Sequence, residues 1–474
     1  MRLKQLITTS VVLPTMLLAG CQLMGPDYFR PKQVLPEQYQ EAQSAANVQP
    51  ESISSQWWTL YNDAVLNDLI EKASKNNTDL KIAVSRIEEA DGYLREVGAA
   101  LFPQVNLDSS ATRYRVTELG AVPMFSGMSP TRSNYNVKLG TTFELDFWGK
   151  LRRAQESARA QALASRFAKD TVDLSLKSLV AGDYLLLRSL EAQIELSKAS
   201  MQSREDSLAL TKRRLEGGVS SALDVHQAET AYNNLKAQLA DLTRQRAIIE
   251  HQLAVLTGDL SLKIAAGDIK TLPMPPVPPV GLPSSLLEAR PDVRQAEQNL
   301  VAANARIGVA KAALFPTISL TAGLGGESKD LGDVLKSSAR IWNGGLSLNL
   351  PIFDSGRLSS KVDQATAQQR QLLAAYESAV QHAFEEVNDA LVNVRQNTER
   401  EAALNASQAS ASKALEVANN RYKSGYTGYL EVLDAQRVFN DASLAYVQSR
   451  QARLTSTVEL FKAMGGGWKE PTSK

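Results

Sequence analysis

A single cysteine, Cys21, is all the chain contains, so no disulfide can form within it. Aromatic residues make up only 6% of 474 residues, little for a compact core of that size, while Ala, Leu, Gln and Ser abound. That mixture suits long helices better than a globular enzyme. An excess of one charge is missing too: 52 Lys and Arg against 51 Asp and Glu leave a formal +1, which argues against a nucleic-acid surface. After the first residues no apolar run is long enough to cross a bilayer as a helix, so any crossing by the mature chain must use β-strands.

Catalytic signatures are equally scarce. The three histidines, His226, His251 and His382, fall in helical stretches without the cysteine or acidic spacing of a metal site. No phosphate-cradling glycine loop, Gly-x-Ser-x-Gly elbow or His-Glu-x-x-His helix occurs. Gly465-Gly466-Gly467-Trp468 ends a helix and has no following helix to receive a phosphate. The chain therefore reads as a non-enzyme without metal or cofactor.

What is present begins with an export signal over residues 1–20. Arg2 and Lys4 supply its positive end, and Leu6 to Leu18 a short apolar run. Leu18-Ala19-Gly20-Cys21 resembles the bacterial lipobox, which makes Cys21 the lipid-bearing first residue of the mature protein. Gln22 follows instead of aspartate, which by the same resemblance favours sorting to the outer membrane.

Two halves repeat one another. Ala99-Ala100-Leu101-Phe102-Pro103 recurs as Ala312-Ala313-Leu314-Phe315-Pro316, and Arg214, Gly218, Leu223 and Val225 answer Arg421, Gly425, Leu430 and Val432. The repeats span 62–260 and 285–467, separated by a Pro-rich linker at 261–284. A segment at 21–61 precedes them and a tail at 468–474 follows. The linker centres on Pro273-Met274-Pro275-Pro276-Val277-Pro278-Pro279, an extended strap between repeats or a recognition site for another protein.

Each half reads as helix, two strands, long helix, shorter helix. Asn62 to Leu101 has helical periodicity, and Pro103 ends it. Gln104–Val116, Arg132–Phe147, Thr317–Gly326 and Arg340–Leu350 alternate polar and apolar residues. Their length fits a tilted transmembrane strand, and equally a soluble hairpin. Four strands cannot close a membrane barrel, which needs about eight or more, so strands in lipid require a barrel shared between chains. Lys150–Glu216 and Ser355–Ser424 contain no proline. At about 1.5 Å per residue each reaches on the order of 100 Å. Leu373, Tyr376, Val380, Ala383, Val387, Ala390 and Val394 alternate steps of three and four, a heptad seam. With four such helices and no compact core-forming segment, the chain is expected to need association for stability.

Together these residues resemble the TolC-like outer-membrane factor family, in its lipoprotein branch. The resemblance rests on Leu18-Ala19-Gly20-Cys21, Gly25-Pro26-Asp27-Tyr28, Trp57-Trp58, Asp79-Leu80 and Leu101-Phe102-Pro103. In the second half it rests on Arg290-Pro291-Asp292-Val293, Pro351-Ile352-Phe353-Asp354, Leu433-Asp434-Ala435-Gln436 and Ala463-Met464-Gly465-Gly466-Gly467-Trp468. It implies a homotrimeric membrane protein of mixed α and β class. Four strands per chain would make a 12-stranded β-barrel, continued by a long α-helical barrel across the periplasm, with residues 21–61 and the linker in an equatorial belt.

The implied function is the outer-membrane channel of a tripartite efflux pump, passing drugs or other toxic compounds. Its implied partners are a periplasmic adaptor (membrane fusion) protein, an inner-membrane pump of the RND or ABC type, and outer-membrane lipid. A one-step protein secretion channel and a lipid-tethered periplasmic coiled-coil scaffold remain the alternatives. By position in the family motif, Tyr422 is a hydrogen-bonding latch and Asp224 accepts its hydroxyl, Leu430 forms an apolar ring, and Glu431 and Asp434 form carboxylate rings. Glu431 and Asp434 also read as solvated acids of a helix's first turn. Thr427 stands where some relatives carry arginine, so no salt-bridge latch is implied there. Gly217, Gly218, Val219, Ser220, Gly425, Tyr426 and Thr427 form the two turns expected to meet the adaptor.

Overall fold

The structure, a computed structural model, describes residues 23–36, 39, 53–120, 127–278 and 286–470. The signal segment and the lipobox cysteine Cys21 lie outside the described residues. The first half runs α1 (Ala64–Asn76), α2 (Thr78–Ala99), β1 (Gln104–Arg115), β2 (Thr131–Leu145), α3 (Lys150–Glu216) and α4 (Ala222–Thr257). The second runs α5 (Pro291–Ala312), β3 (Thr317–Ser328), β4 (Arg340–Asn349), α6 (Arg357–Lys423) and α7 (Tyr429–Ala463). The helix–strand–strand–helix–helix order of the first half thus recurs in the second.

The expected single helix from Asn62 to Leu101 is two. Asn62 is left-handed (φ 49°), Asp63 caps α1, and the helix is interrupted at Asn77. The Asn77 side chain accepts from the amides of Asp79 and Leu80, at 2.9 and 3.2 Å, and its amide donates to the Leu256 carbonyl. An asparagine that caps the next turn and bonds a distant carbonyl outcompetes helix continuation.

The chain groups into two compact units that each draw on both halves. One comprises Met1–Lys32, Arg86–Ser165 and Ala296–Tyr376 and holds the sheet. The four strands pair antiparallel in the order β1-β2-β3-β4, leaving β1 and β4 as open edges. The register sorts side chains by face. Leu107, Leu139, Leu324 and Trp342 form one row across all four strands and are exposed by 52% or more. Phe143, Leu320 and Leu346 make the next apolar row but one. The opposite face carries Asn106, Gly140, Gly323 and Asn343 in one row and Gln104, Thr142, Thr321 and Gly345 in another. One face is therefore suited to lipid and the other to water.

The N-terminal arm, Leu23 to Arg30, is fixed within this unit. Met24 N–H donates to Trp148 O at 3.1 Å, Arg153 reaches both Met24 O and Asp27, and Arg30 pairs with Glu297. Gly25 (φ 89°) crosses Gly308 of α5 so closely that a Cβ on Gly25 would lie 2.5 Å from Gly308 Cα. Only glycines allow that crossing.

The other unit comprises Gln33–Ser85, Arg166–Gln295 and Glu377–Lys474. It contains the compact core that composition gave no reason to expect. Trp57, Tyr61, Leu66, Ile70, Tyr184 and Phe461 are among its buried members, with the Trp57 and Phe461 rings stacked 5.5 Å apart. A few aromatics, Trp57, Trp58, Tyr61, Tyr184 and Phe461, meet here, so a low average conceals a local core. The heptad positions Val380, Ala383, Val387, Ala390 and Val394 are buried as their spacing predicts.

The linker is held by arginines of both repeats. Arg246 of α4 pairs with buried Glu191 and donates to Ile264 O at 3.1 Å. Arg450 and Arg453 of α7 share buried Glu401, and Arg450 also donates to the carbonyls of Ile269, Lys270 and Leu272. The strap reading fits these contacts.

Candidate functional site

Both long helices of the helical unit end in the same turn. After α3, Gly218 is left-handed (φ 72°) and Val219 N–H donates to Arg214 O at 2.9 Å. After α6, Gly425 is left-handed (φ 78°) and Tyr426 N–H donates to Arg421 O at 2.9 Å. A left-handed residue past the last turn reverses the chain while satisfying the helix's final carbonyls, and glycine does this without strain. Val219 and Tyr426 protrude from these turns, largely exposed.

The helices that follow start differently. Ser221 caps α4 in a reciprocal box: its Oγ accepts from Asp224 N–H at 3.2 Å, and Asp224 Oδ2 accepts from Ser221 N–H at 3.1 Å. Asp224 Oδ2 also accepts from Ser220 Oγ at 2.9 Å, and these bonds hold its carboxyl below the usual range. α7 begins at Gly428, which offers no side-chain cap. Its first-turn acid, Glu431, lies 3.9 Å from Arg421.

Tyr422 sits 7% exposed in a small apolar cluster with Ala228, Ala418, Tyr429 and Val432. Its ring centre is 5.7 Å from that of Tyr429, and the Arg214 guanidinium carbon lies 4.3 Å above it. Asp224 accepts from Ser220 and Ser221, while Tyr422 is held by ring and cation contacts. Leu430 and Asp434 are exposed, Asp434 pairing with Arg437 at 2.8 Å. The Thr427 hydroxyl is buried without a partner among the described residues.

A groove of about 580 Å³ runs between α4 and α7, with His226, Thr230 and Asn234 on one wall and Leu433, Asp434 and Arg437 on the other. Arg204 of α3 is also part of its lining. Sequence reasoning missed Arg204, Tyr429 and the placing of Arg214 over Tyr422. Only the Arg214–Arg421 repeat match hinted at the last. His226 and His382 are exposed on their helices, and among the described residues no cluster of three His, Cys, Asp or Glu is placed to hold a metal. No described helix is long and apolar enough to cross a membrane.

Residues 69–259 and 282–466 match the outer membrane efflux protein family. The chain belongs to that family. It is 34% identical to a probable efflux pump outer membrane protein, TtgC, of Pseudomonas putida, over 98% of this chain and 96% of the relative. It is 32% identical to the cation efflux system protein CusC of Escherichia coli, over 96% and 97%. Among solved structures it resembles the open state of the Neisseria gonorrhoeae MtrE outer membrane channel, with TM-score 0.84 and 31% identity over 96% of this chain and 100% of that one. It also resembles the outer-membrane channel OprN, with TM-score 0.87 and 28% identity over 94% and 100%. The protein is thus an outer-membrane efflux channel component with strands for the membrane and a helical portion in the periplasm.

Proposed function

We propose that three copies close a 12-stranded barrel, four strands each, and that their helices continue it as a duct across the periplasm. One observation carries this reading: a sheet with an apolar face, a polar face and two unpaired edges. Open edges do not persist in lipid, and only further copies supply matching ones. Acylation of Cys21 would anchor the arm that Gly25 and Arg153 fix beside the start of α3.

The duct spends no energy and performs no chemistry. Tyr422, Asp224, Leu430, Glu431 and Asp434 form its periplasmic gate, with Asp224 acting by fixing the start of α4 beside the Tyr422 cluster. Three copies of Glu431 and Asp434 bring like charges together, which weakens closure and attracts cations. The turns at Gly217–Ser220 and Gly425–Thr427 meet a periplasmic adaptor, which couples the channel to an inner-membrane pump. Relatives named for toluene and for cation efflux match this chain over almost its whole length, which supports selection of the cargo by the pump rather than by the duct.

The test is the full chain purified from outer membranes in detergent. A trimer mass, a mobility that shifts on boiling and single channels in planar bilayers are expected. A water-soluble monomer would sink the reading.

A further inference from the structure

Arg204 is the one residue of α3 in the lining of the α4–α7 groove. It lies a turn before Ser207, whose Oγ accepts from Gln436 Nε2 at 3.2 Å where α3 meets α7. Arg204 is 6% exposed and has no hydrogen bond or ion pair among the described residues. Burial outweighs the pull of Asp441 and lowers its pKa from the usual guanidinium value. A guanidinium stays charged at neutral pH even so. A buried cation without its counter-ion is strongly unfavourable, so a groove opening beside it rewards an anion more than open surface would.

The acids of the lining do not fill that place. Asp434 and Asp441 are exposed on α7, and both pair with Arg437, at 2.8 and 3.4 Å. Much of the remaining lining is apolar, with Ala231 and Leu235 on the α4 wall and Leu430 and Leu433 on the α7 wall. At about 580 Å³ the groove has the size of a small-molecule site, which runs from about 300 to 1,000 Å³. A bare inorganic anion would leave the leucines facing water, and a cation would meet the Arg204 charge. An organic anion answers the charge and covers the leucines together.

We infer that the α4–α7 groove is a binding site for a small organic acid, its carboxylate on the Arg204 guanidinium and its apolar body along Leu235, Leu430 and Leu433. The planar fork of a guanidinium suits the two oxygens of a carboxylate. The site is built within the helical unit of a single chain, so it stands whether or not the neighbouring turns form a gate.

The test is equilibrium dialysis of the full chain in lipid nanodiscs against naphthoate, with empty nanodiscs as the blank. Saturable binding is expected, at least about 10-fold tighter than for uncharged naphthol, because the anchor is a charge-assisted pair. Arg204→Leu should weaken naphthoate binding at least about 10-fold and leave naphthol unchanged, while Arg204→Lys should keep part of the difference. Equal binding by the parent and Arg204→Leu overturns the proposal, since naphthoate then merely partitions into the protein or its lipid. No saturable binding by the parent overturns it too, and leaves Arg204 to a carboxylate of another copy or of a partner protein. Chloride or phosphate displacing naphthoate at equal concentration overturns the organic class of the ligand. Thr230→Trp fills the groove without touching the arginine, and decides the matter should Arg204→Leu fail to assemble: it should abolish binding, and binding unchanged in Thr230→Trp overturns the site.

Discussion

The Arg214 guanidinium stands 4.3 Å over the centre of the Tyr422 ring, joining the end of one long helix to the end of the other. A cation over an aromatic face is worth about 0.5–2 kcal/mol, more when desolvated. Arg214→Ala should therefore loosen the latch and raise the open probability of single channels. Arg214→Lys should have a smaller effect. Equal open probability in all three proteins would remove the contact from the gate.

Asp434→Ala combined with Tyr422→Phe is expected to raise conductance in planar bilayers. The first change removes a carboxylate from the proposed ring, and the second removes the only polar atom of the latch side chain. Conductance identical to the parent would count against the gate assignment.

The start of α4 should be sensitive to acid. Its cap holds Asp224 below the ordinary carboxyl value of 3.8. A depressed carboxyl contributes stability that is complete above the ordinary value and is lost as pH falls through the folded one. Exchange at the Asp224 and Val225 amides should accordingly quicken only below about pH 4. Ser221→Ala should quicken it at neutral pH as well, through loss of about 1 kcal/mol of capping. No change in either case would show that the cap does not hold the turn.

Glu401 is buried between Arg450 and Arg453, at 3.0 and 2.8 Å. Glu401→Leu leaves two cations without their shared anion and should cost about 3–5 kcal/mol. Thermal unfolding followed by circular dichroism should show a lowered midpoint, and adding Arg453→Leu should recover part of the loss. An unchanged midpoint would mean that the ion group contributes nothing to linker docking.

On the sheet, Leu139→Arg puts a charge in the middle of the apolar face and should cost about 2–4 kcal/mol in lipid. Thr142→Arg, on the polar face, should be tolerated. The readout is the yield of heat-modifiable protein in outer membranes. Equal yields would mean that the two faces have been assigned to the wrong solvents.

The sequence by itself determined the elements. α3 was legible to the residue because Lys150–Glu216 carries no proline and ends at a glycine. The strands showed in period-2 alternation, and β1, β2 and β4 end within two residues of where that alternation stops. Both turns could be read from glycines at matching places in the repeats. Such signals act over a few residues, through backbone sterics, capping and side-chain periodicity, so the chain displays them directly. The break at Asn77 escaped because its cause is partly remote: the asparagine bonds Leu256, 179 positions away.

Tertiary structure alone decided which faces meet. The sequence offers no way to know that Arg214 covers Tyr422, that Asp224 is engaged by its own cap, or that the Ser197 and Ser443 hydroxyls have no partner among the described residues where α3 and α7 pack. Those outcomes depend on how helices more than 200 residues apart settle against each other, and packing fixes that register across the whole contact. The proposed barrel lies one level further out: the sequence offers four strands per chain, and the edges β1 and β4 of the folded sheet are where the strands of further copies would join under that proposal.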